Sequence, residues 1–210
     1  KGGWFSRSPA KNNPSEQLSY ARKLQQGGHV SAAARQYARL VNYWPEAPEA
    51  PSAQLEYARI LDDRNKYYDA FDAYKDLLKL YPNYMTYDKI LDRMFALATS
   101  VMEHRKGKFL FFPGFRAPSR AAPLFEAMVE LGPEWERAPE ALFMAGQAND
   151  AEDLYEEAAL AYASIQYRYP LSPYAEKASY AKAMDLYKLS QESPNDLRRL
   201  QEAWAAASFY

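Results

Sequence analysis

Residues 51–82 read PSAQLEYARILDDRNKYYDAFDAYKDLLKLYP, and this stretch contains the pattern that decides the fold. The small residue Ala58 stands in its first half, Ala70 and Tyr74 stand in its second half, and Pro82 closes it directly after an aromatic residue. Small residues let two helices approach closely, and an aromatic four positions after Ala70 lies on the same helix face and fills the adjacent gap. The stretch is therefore predicted to form two packed helices.

The same pattern recurs along the chain. Prolines that close apolar or aromatic stretches stand at positions 45, 82, 133 and 170, at spacings of 37, 51 and 37 residues, so one repeat carries an insertion of 14 residues. Periods of this length are typical of solenoids, in which each unit buries its apolar face against its neighbours. The small and aromatic residues recur at fixed distances before the other prolines, at Ala21, Ala33 and Tyr37, at Ala121 and Phe125, and at Ala145, Gly146, Ala158 and Tyr162.

These observations predict an all-α fold, a tetratricopeptide-repeat solenoid of helical hairpins with about five repeats. Ser15 and Ser52 follow prolines at the starts of first helices and are predicted to bond free amides there. The predicted helix pairs are 14–26 with 29–44, 51–63 with 66–81, 86–105 with 118–131, 138–150 with 153–169, and 173–190 with 197–210.

The predicted domain organisation is a flexible leader over residues 1–13 and a single solenoid over residues 14–210. The last repeat is predicted to be incomplete, because a terminal solenoid unit needs a polar cap and this chain ends in an Ala-rich, aromatic run. We therefore expect the natural protein to continue beyond Tyr210. The predicted repeats are 14–45, 51–82, 86–133, 138–170 and 173–210.

Composition limits the classes of function. The net charge is −1, from 26 Lys and Arg against 27 Asp and Glu, so nothing favours a nucleic-acid partner. There is no cysteine, which excludes disulfides and thiol ligands but fits either a reducing cytosol or an exported protein. The sequence has no apolar span long enough for a transmembrane helix. A lipid anchor attached upstream of residue 1 is left open.

The inserted segment is apolar and basic. It reads KGKFLFFPGFRAP over residues 106–118, and its docking candidates are Phe109, Phe111, Phe112, Phe115 and Arg116. One interpretation is that the phenylalanines fold back against their own repeats, because contiguous exposed apolar patches are rare on soluble monomers. The other is a docking loop for a partner protein or a membrane surface, in which the phenylalanines anchor the contact.

No constellation of residues favours catalysis. The two histidines, His29 and His104, fall in different repeats and suit a helix start and a helix end. Acidic clusters occur where first helices turn into second helices, without a histidine beside them. Neither a phosphate-binding loop nor a nucleophile motif is present. The sequence therefore predicts a protein that is not an enzyme, with no catalytic residues, no cofactor and no metal site.

The first helix of each repeat is expected to line an inner groove. Arg22 and Arg59 coincide in register there, and two stacked arginines suit an acidic or carboxylate-ended peptide. The alternative is that each arginine pairs locally with an acid such as Glu56 or Asp62 and binds nothing else. The groove becomes more apolar toward the C-terminus. Its other candidate residues are Leu18, Gln25, Leu55, Asp62, Phe143, Gln147, Asp150, Tyr180, Met184 and Tyr187.

Three motifs resemble the outer-membrane protein assembly factor BamD family of periplasmic tetratricopeptide-repeat lipoproteins. They are the Tyr-Pro repeat endings (Tyr81-Pro82 and Tyr169-Pro170), the connection YPLSPY at 169–174, and the loop FFPG at 111–114 before Arg120. Related periplasmic repeat proteins such as the cell-division coordinator CpoB share the Tyr-Pro endings. The chain departs from the family at 116–120, RAPSR, which is basic where the family is acidic.

This resemblance implies a scaffold at the periplasmic face of the outer membrane, within the machinery that inserts β-barrel proteins. The N-terminal groove would engage unfolded barrel precursors, and the C-terminal repeats would dock the POTRA domain of the barrel insertase. The alternative is a generic periplasmic or cytosolic adaptor that binds extended peptides in envelope, division or pilus biogenesis. A hydrolase regulated by repeats is a third hypothesis, and it needs a catalytic domain outside this sequence.

Overall fold

The fold consists of helix pairs joined by short turns, in a computed structural model that describes residues 8–103, 105–109, 112–192 and 197–208. The described ends of the helices lie within two residues of the predicted ones, except that the sixth helix, predicted to start at residue 118, starts at Ala122. The helical-hairpin repeat fold predicted from the sequence is thus confirmed. The α-helices are α1 (Pro14–Gln26), α2 (Val30–Tyr43), α3 (Ala50–Asp63), α4 (Tyr67–Leu80), α5 (Tyr87–Glu103), α6 (Ala122–Leu131), α7 (Ala138–Asp150), α8 (Tyr155–Arg168), α9 (Ala175–Glu192) and α10 (Leu197–Ser208).

The inserted segment forms two short strands that the sequence pattern did not predict. Strands β1 (Arg105–Phe109) and β2 (Phe112–Arg116) pair antiparallel, with Arg105 opposite Arg116 and Phe109 opposite Phe112. A 3₁₀ turn at Pro118–Ala121 then leads into α6. Alternation of polar and apolar residues is not readable in strands this short, and glycine interrupts β1 while proline and glycine interrupt β2.

The chain divides into two compact units between Ile90 and Leu91, inside α5. In the first unit, α1 packs against α2, α2 against α3, and α3 against α4. In the second unit, the same serial packing runs from α6 to α10. Within each unit, neighbours in sequence are therefore neighbours in space, as in repeat proteins. The continuity of the repeats across this boundary as a single solenoid stays a prediction.

The residues that define the repeat lie at the helix contacts. The small residues Ala21, Ala33, Ala58, Ala70, Ala145 and Ala158 are fully buried. Tyr37 and Phe125 are also fully buried, and Tyr162 is nearly so. Gly146 shows why size matters, because a Cβ atom there would stand 2.4 Å from Cε1 of Tyr162. The packing predicted from residue size is confirmed at these positions.

The turns within three pairs share one backbone feature. Gly28, Asn65 and Asp153 occupy equivalent turn positions and have φ values of 78°, 55° and 59°. Left-handed backbone is open to glycine and is tolerated best, among other residues, by Asn and Asp. Each turn thus reverses the chain with a residue suited to that conformation.

Two expectations about helix starts need correction. Asn13 caps α1, because its Oδ1 accepts a hydrogen bond from the amide of Glu16 at 2.9 Å, and Ser15 lies inside the helix. Ser52 likewise lies inside α3, which starts at Ala50 without a side-chain cap. The leader is described only from residue 8 onward, and its end is fixed to α1: the amides of Ala10 and Lys11 both donate to Oε1 of Gln17, at 3.1 Å each.

Candidate functional site

The first helices of the first unit, α1 and α3, carry the two arginines predicted for the groove. Arg22 and Arg59 are both exposed. Arg22 donates to Oγ of Ser52 at 3.1 Å, so the two first helices are joined side by side. Arg59 forms an ion pair with Glu56, one turn earlier in its own helix, at 2.9 Å. The local pairing left open by the sequence is therefore present for Arg59.

A polar network links these helices to the second helix of the first repeat. The hydroxyl of Tyr37 donates to Oε1 of Gln25 at 2.6 Å, and Nε2 of Gln25 lies 3.3 Å from Oε2 of Glu56. Burial, with a contribution from Glu56, raises the pKa of the Tyr37 phenol to about 12. The phenol therefore stays protonated at physiological pH and remains a donor. The network holds Gln25 and Glu56 in place beside the two arginines.

Three groove candidates of the first unit are buried rather than open to a ligand. Leu18 and Leu55 are 7% and 8% exposed, and Leu18 belongs to the hydrophobic core between α1, α2 and α3. Asp62 is also buried, and its Oδ2 accepts from the hydroxyl of Tyr74 at 3.2 Å. These side chains face neighbouring helices, because residues spaced four apart lie on the same side of a helix, and here that side also carries core residues. Their expected ligand role is corrected to a packing role.

In the second unit, α7 and α9 are the corresponding first helices. Phe143 packs between two tyrosine rings, with ring centroids 5.3 Å from Tyr162 and 5.4 Å from Tyr174. Gln147, one turn later, is exposed. Phe143 is thus half-buried, so only part of its ring is accessible on α7. The side-chain amide of Gln147 is exposed and accessible to a ligand.

Helix α9 presents the most apolar accessible surface on a first helix. Tyr180, Met184 and Tyr187 are 52%, 39% and 54% exposed. They stand four and three residues apart, so they form one row along one side of the helix. Large apolar side chains grouped in this way mark interaction sites more often than singly scattered ones do. We call Tyr180, Met184 and Tyr187 the α9 row.

A charged cluster beside the α9 row was not predicted from the sequence. Nζ of Lys188 lies 2.5 Å from Oδ1 of Asp150 in α7 and 3.3 Å from Oδ1 of Asp185. Asp185 is only 1% exposed, and its Oδ2 has no hydrogen-bond partner in the described residues. Burial and the neighbouring Asp150 raise the pKa of Asp185 to about 7, although Lys188 opposes the shift. The sequence signal that was missed is an acidic residue, Asp185, on the side of α9 that otherwise packs against its neighbours.

The same cluster holds the two first helices together. Burial lowers the pKa of Lys188, but hydrogen bonds to Asp150 and Asp185 outweigh burial, and the net shift is upward. The ammonium also lies 4.6 Å from the ring centroid of Tyr155 at the start of α8. Lys188 therefore remains charged and connects α7, α8 and α9.

The inserted segment is described at the level of the backbone. Phe109, Phe112, Phe115 and Arg116 lie in the β1–β2 hairpin, whereas Phe111 lies outside the described residues. The two strands contact each other more extensively than they contact any helix in the described part of the chain. The choice between a packing role and a docking role for the phenylalanines stays open at the level of side chains.

Each unit also contains a cavity that the sequence did not predict. In the first unit, a cavity of about 780 Å³ lies between α2, α3 and α4, with Tyr57 and Ile60 among its lining residues and an acidic side formed by Asp69, Asp72 and Asp76. Burial raises the pKa of both Tyr57 and Asp76. In the second unit, a cavity of about 450 Å³ lies between α8, α9 and α10. Periodicity along one helix carries no information about spaces between three helices.

The groups considered for catalysis or metal binding lie apart. His29 is exposed at the start of α2, where it makes no side-chain capping bond, and His104 lies outside the described residues. In the residues that the structure covers, no three side chains among His, Cys, Asp and Glu come together as metal ligands would. Among the described helices, none combines the length and the apolar character that crossing a membrane requires.

Comparison with known proteins gives similarity at the level of solved structures only. No protein-family model matches the sequence, and no curated protein matches it. MamA from Desulfovibrio magneticus RS-1 is 14% identical, with 94% of this chain and 97% of that chain covered and a TM-score of 0.37. YrrB, described as a tetratricopeptide-repeat protein with an unusual peptide-binding site, is 17% identical over 92% and 86% of the chains, with a TM-score of 0.38.

A tetratricopeptide-repeat protein from Parabacteroides merdae is 15% identical, with coverage of 93% and 73% and a TM-score of 0.38. Similarity this distant assigns no activity. The fold class rests on the repeat itself, in which helix hairpins, buried small residues and left-handed turns recur at fixed spacing in this chain. The fold is a helical-hairpin repeat fold of the tetratricopeptide type.

Proposed function

We propose that this chain is a non-catalytic protein-binding scaffold whose first helices bind extended segments of other polypeptides. The observation that carries the proposal is the α9 row, which leaves three large apolar side chains accessible on a helix held by its neighbours. Repeat proteins use surfaces formed by successive repeats to bind extended ligands. Tyrosine supplies a large contact area at a small cost in side-chain entropy, so the row suits an apolar or aromatic segment.

The first unit suits a different part of such a segment. Arg22 has a serine, not a carboxylate, as its hydrogen-bond partner, and its guanidinium is exposed. A guanidinium forms strong paired hydrogen bonds with carboxylates. The side chains around it are held by the Tyr37, Gln25 and Glu56 network, which lowers the entropy lost on binding. We assign Arg22 to acidic side chains or a terminal carboxylate of the partner.

A peptide-binding measurement tests this proposal. Fluorescence anisotropy with an array of extended peptides, scored by apolar and acidic content, gives the affinity of the native chain. Replacing Tyr180 and Tyr187 by Ser is expected to weaken binding of apolar peptides roughly tenfold or more, since loss of interface aromatics costs about 1–2 kcal/mol each. The matched control is Tyr43→Ser with Tyr167→Ser, which removes two tyrosines that are at least as exposed from second helices. Equal losses in both double variants contradict the proposal.

The finer proposal concerns the system in which the scaffold works. The Tyr-Pro endings and the YPLSPY connection support a role like that of the outer-membrane assembly factor family, at the periplasmic face of the outer membrane. The partners would be unfolded barrel precursors for the first unit and the POTRA domain of the barrel insertase for the second. Co-purification with the barrel insertase from mild detergent tests this role, and the Tyr180→Ser, Tyr187→Ser variant is expected to lose the complex.

A generic peptide-binding adaptor of the cell envelope or cytosol is the second candidate. The observation that favours it is the basic segment 116–120, where the assembly-factor family is acidic. The two roles differ in one result. An adaptor binds the peptide array but leaves the barrel insertase in the unbound fraction, whereas an assembly factor retains both.

A further inference from the structure

The segment that precedes α1 is held by two side chains of the first repeat. The main-chain amides of Ala10 and Lys11 both donate to Oε1 of Gln17, at 3.1 Å each. Nε2 of Gln17 donates to the main-chain carbonyl of Gln36 in α2 at 3.1 Å. Nζ of Lys11 lies 5.2 Å from the ring centroid of Tyr20. The first repeat thus binds a non-helical segment through two amides and one cation.

The second repeat carries the same two side chains 37 residues later. Gln54 and Tyr57 in α3 correspond to Gln17 and Tyr20 in α1. Nε2 of Gln54 donates to the main-chain carbonyl of Ala73 in α4 at 2.8 Å, as Gln17 does to the carbonyl at the corresponding position of α2. Gln54 is 5% exposed, so its side chain is held in place between two helices.

In the second repeat the chain does not supply the corresponding amides and cation. The residues at the equivalent positions are Ala47 and Pro48. The amide of Ala47 is bonded to the carbonyl of Trp44 at 3.1 Å, and proline has neither an amide hydrogen nor a charge. Within the described part of the chain, Gln54 bonds only through Nε2, so its Oε1 is a buried acceptor without a donor. Such an oxygen favours a ligand that brings donors.

Gln54 and Tyr57 line the first-unit cavity of about 780 Å³ between α2, α3 and α4. Val41, Asp76 and Leu80 line the same end of it, where α2 and α4 end and α3 begins. Burial raises the pKa of Asp76, because its charged form is poorly solvated there, and Asp76 in turn helps to raise the pKa of Tyr57. This end of the cavity, which we call the Gln54 end, therefore favours a cation.

The opposite end of the cavity has its own ionic contacts. Arg64 donates to Oγ of Ser31 at 2.5 Å, and Nζ of Lys66 lies 3.6 Å from Oδ2 of Asp69. These residues stand where α3 ends and where α2 and α4 begin, and Arg35 lies one turn further along α2. The positive charges that line the cavity are thus collected away from the Gln54 end.

We propose that the Gln54 end of this cavity binds a non-helical segment of a partner protein that carries a lysine. Two main-chain amides of the segment donate to Oε1 of Gln54, and the lysine ammonium lies over the ring of Tyr57 and beside the carboxylate of Asp76. An ammonium is attracted both to the face of an aromatic ring and to a carboxylate. The chemistry of the occupant follows from the segment before α1, which meets the first repeat with two amides and a lysine.

This site is separate from the surfaces that carry the proposed scaffold function. Those surfaces are the α9 row and Arg22, which offer apolar contacts and a cation to a partner. The Gln54 end instead offers an amide oxygen, an aromatic ring and a carboxylate, in a cavity on the side of the second helices α2 and α4. It therefore selects a partner segment of the opposite charge.

Fluorescence anisotropy with three labelled peptides and the intact chain tests this proposal. The first peptide is capped and has the sequence SPAKNN of residues 8–13. The second has norleucine in place of lysine, and we expect it to bind about fivefold more weakly, because the cation is lost. The third is N-methylated at the alanine and lysine amides, and we expect it to bind about tenfold more weakly, because two hydrogen bonds are lost.

Variants of the chain locate the binding. Asp76→Asn is expected to weaken binding of the lysine peptide about fivefold and to leave the norleucine peptide unchanged. Asp63→Asn, at an exposed position of α3 outside the cavity, is the matched control and is expected to change neither. Gln54→Met keeps the size of the side chain and is expected to abolish binding. Thermal melting by circular dichroism checks each fold, and Asp76→Asn decides the outcome if Gln54→Met melts early.

Nuclear magnetic resonance shows which repeat the lysine peptide occupies. In the ¹⁵N–¹H correlation spectrum we expect shifts of the side-chain amide of Gln54 and little change at Gln17, because the oxygen of Gln17 is already bonded to the chain. A peptide with the sequence of residues 1–7, KGGWFSR, is the competitor. We expect it to displace the lysine peptide no better than an unlabelled copy of SPAKNN does.

Four results overturn the proposal. The lysine peptide does not bind, or it binds no better than the norleucine and N-methylated peptides. Asp76→Asn behaves like Asp63→Asn. The shifts fall at Gln17 instead of Gln54. The competitor binds more tightly than SPAKNN, which makes the N-terminal residues of this chain the occupant in place of a partner. The Tyr180→Ser, Tyr187→Ser variant is expected to bind the lysine peptide normally, so failure here is distinguishable from failure of the scaffold role.

Discussion

The hydroxyl of Tyr169 donates a hydrogen bond to the main-chain carbonyl of Pro133, 2.8 Å away and 36 residues earlier. Tyr81 makes the same bond to the carbonyl of Pro45 at 3.0 Å, also across 36 residues. In both cases the aromatic that precedes one closing proline is bonded to the preceding closing proline. The tyrosine therefore fixes the distance between the ends of consecutive repeats, which explains in physical terms why Tyr-Pro endings recur.

Removing this bond is expected to lower stability. For Tyr169→Phe and Tyr81→Phe we expect the free energy of unfolding to fall by about 0.5–1.5 kcal/mol each, the usual contribution of one intramolecular hydrogen bond. Urea unfolding followed by circular dichroism measures the change. Tyr167→Phe is the control, because Tyr167 is 89% exposed. If all three variants unfold at the same urea concentration, the bond does not stabilise the repeat contact.

Gly146 is expected to tolerate no side chain. A Cβ atom at this position would lie 2.4 Å from Cε1 and 2.6 Å from Cζ of the buried Tyr162 ring, so α7 and α8 would have to separate. For Gly146→Ala we expect a loss of about 1–3 kcal/mol, as in overpacked cores, even though alanine is the better helix former. The comparison is Gln147→Ala at the next, exposed position. A Gly146→Ala variant as stable as the native chain contradicts this packing.

Asp185 is expected to make stability depend on pH. Its pKa is about 7 in the folded chain against an ordinary value of 3.8, so the folded state binds the proton more tightly than the unfolded state. Its contribution to stability is therefore fully present below about pH 4, declines as the pH rises from about 4 to about 7, and stays low above pH 7. Asp185→Asn removes this decline.

We expect Asp185→Asn to raise the free energy of unfolding by about 1–2 kcal/mol at pH 8, and by less at pH 5. Lys188 keeps Asp150 as its partner, so no buried charge is left unpaired. Urea unfolding at the two pH values, with exposed Asp63→Asn as the control, provides the measurement. A gain that is the same at pH 5 and pH 8 excludes Asp185 as the titrating group.

The two arginines of the first unit are expected to differ in their effect on binding. Arg59 must release Glu56 before it can bind a carboxylate, whereas Arg22 exchanges a neutral serine. For an acidic peptide we expect Arg22→Ala to weaken binding about tenfold, since hydrogen bonds to charged groups contribute about 1.5–3 kcal/mol. Arg59→Ala is expected to have a smaller effect. Fluorescence anisotropy titrations measure the affinity of both variants for the peptide. A larger loss of affinity for Arg59→Ala than for Arg22→Ala would contradict the proposal that Arg22 binds the carboxylate of the partner.

Much of the fold was predictable from the sequence for a local reason. Helix periodicity, turn residues and small residues act over a few positions, so the pairs around Ala58 and Ala70, and the turn at Asn65, are determined by their own neighbours. The inserted hairpin was not predicted, because its strands are too short for alternation. The capping roles predicted for Ser15 and Ser52 were wrong, because both serines lie inside their helices and the capping residue is the one at which the backbone leaves the helix.

The candidate site was predictable only in part. The register of Arg22 and Arg59 followed from the repeat period, and both are exposed as expected. The burial of Leu18 and Leu55 was missed, because the sequence places residues on a helix face but does not set how far the next helix covers that face. The sequence thus predicted which helices carry the candidate binding surface. Which of their side chains are accessible on that surface depends on how the helices pack.

By itself, the sequence determined the period, the helix pairs and the residues at their contacts, because these depend on size and on spacing along one helix. Only the tertiary structure decided that Tyr169 reaches Pro133, that Arg59 is paired while Arg22 bonds a serine, and that Asp185 is buried beside Lys188 and Asp150. These relationships join residues on different helices or depend on which neighbour a flexible side chain selects. Their energies depend on three-dimensional distance and burial, to which sequence spacing is only a guide.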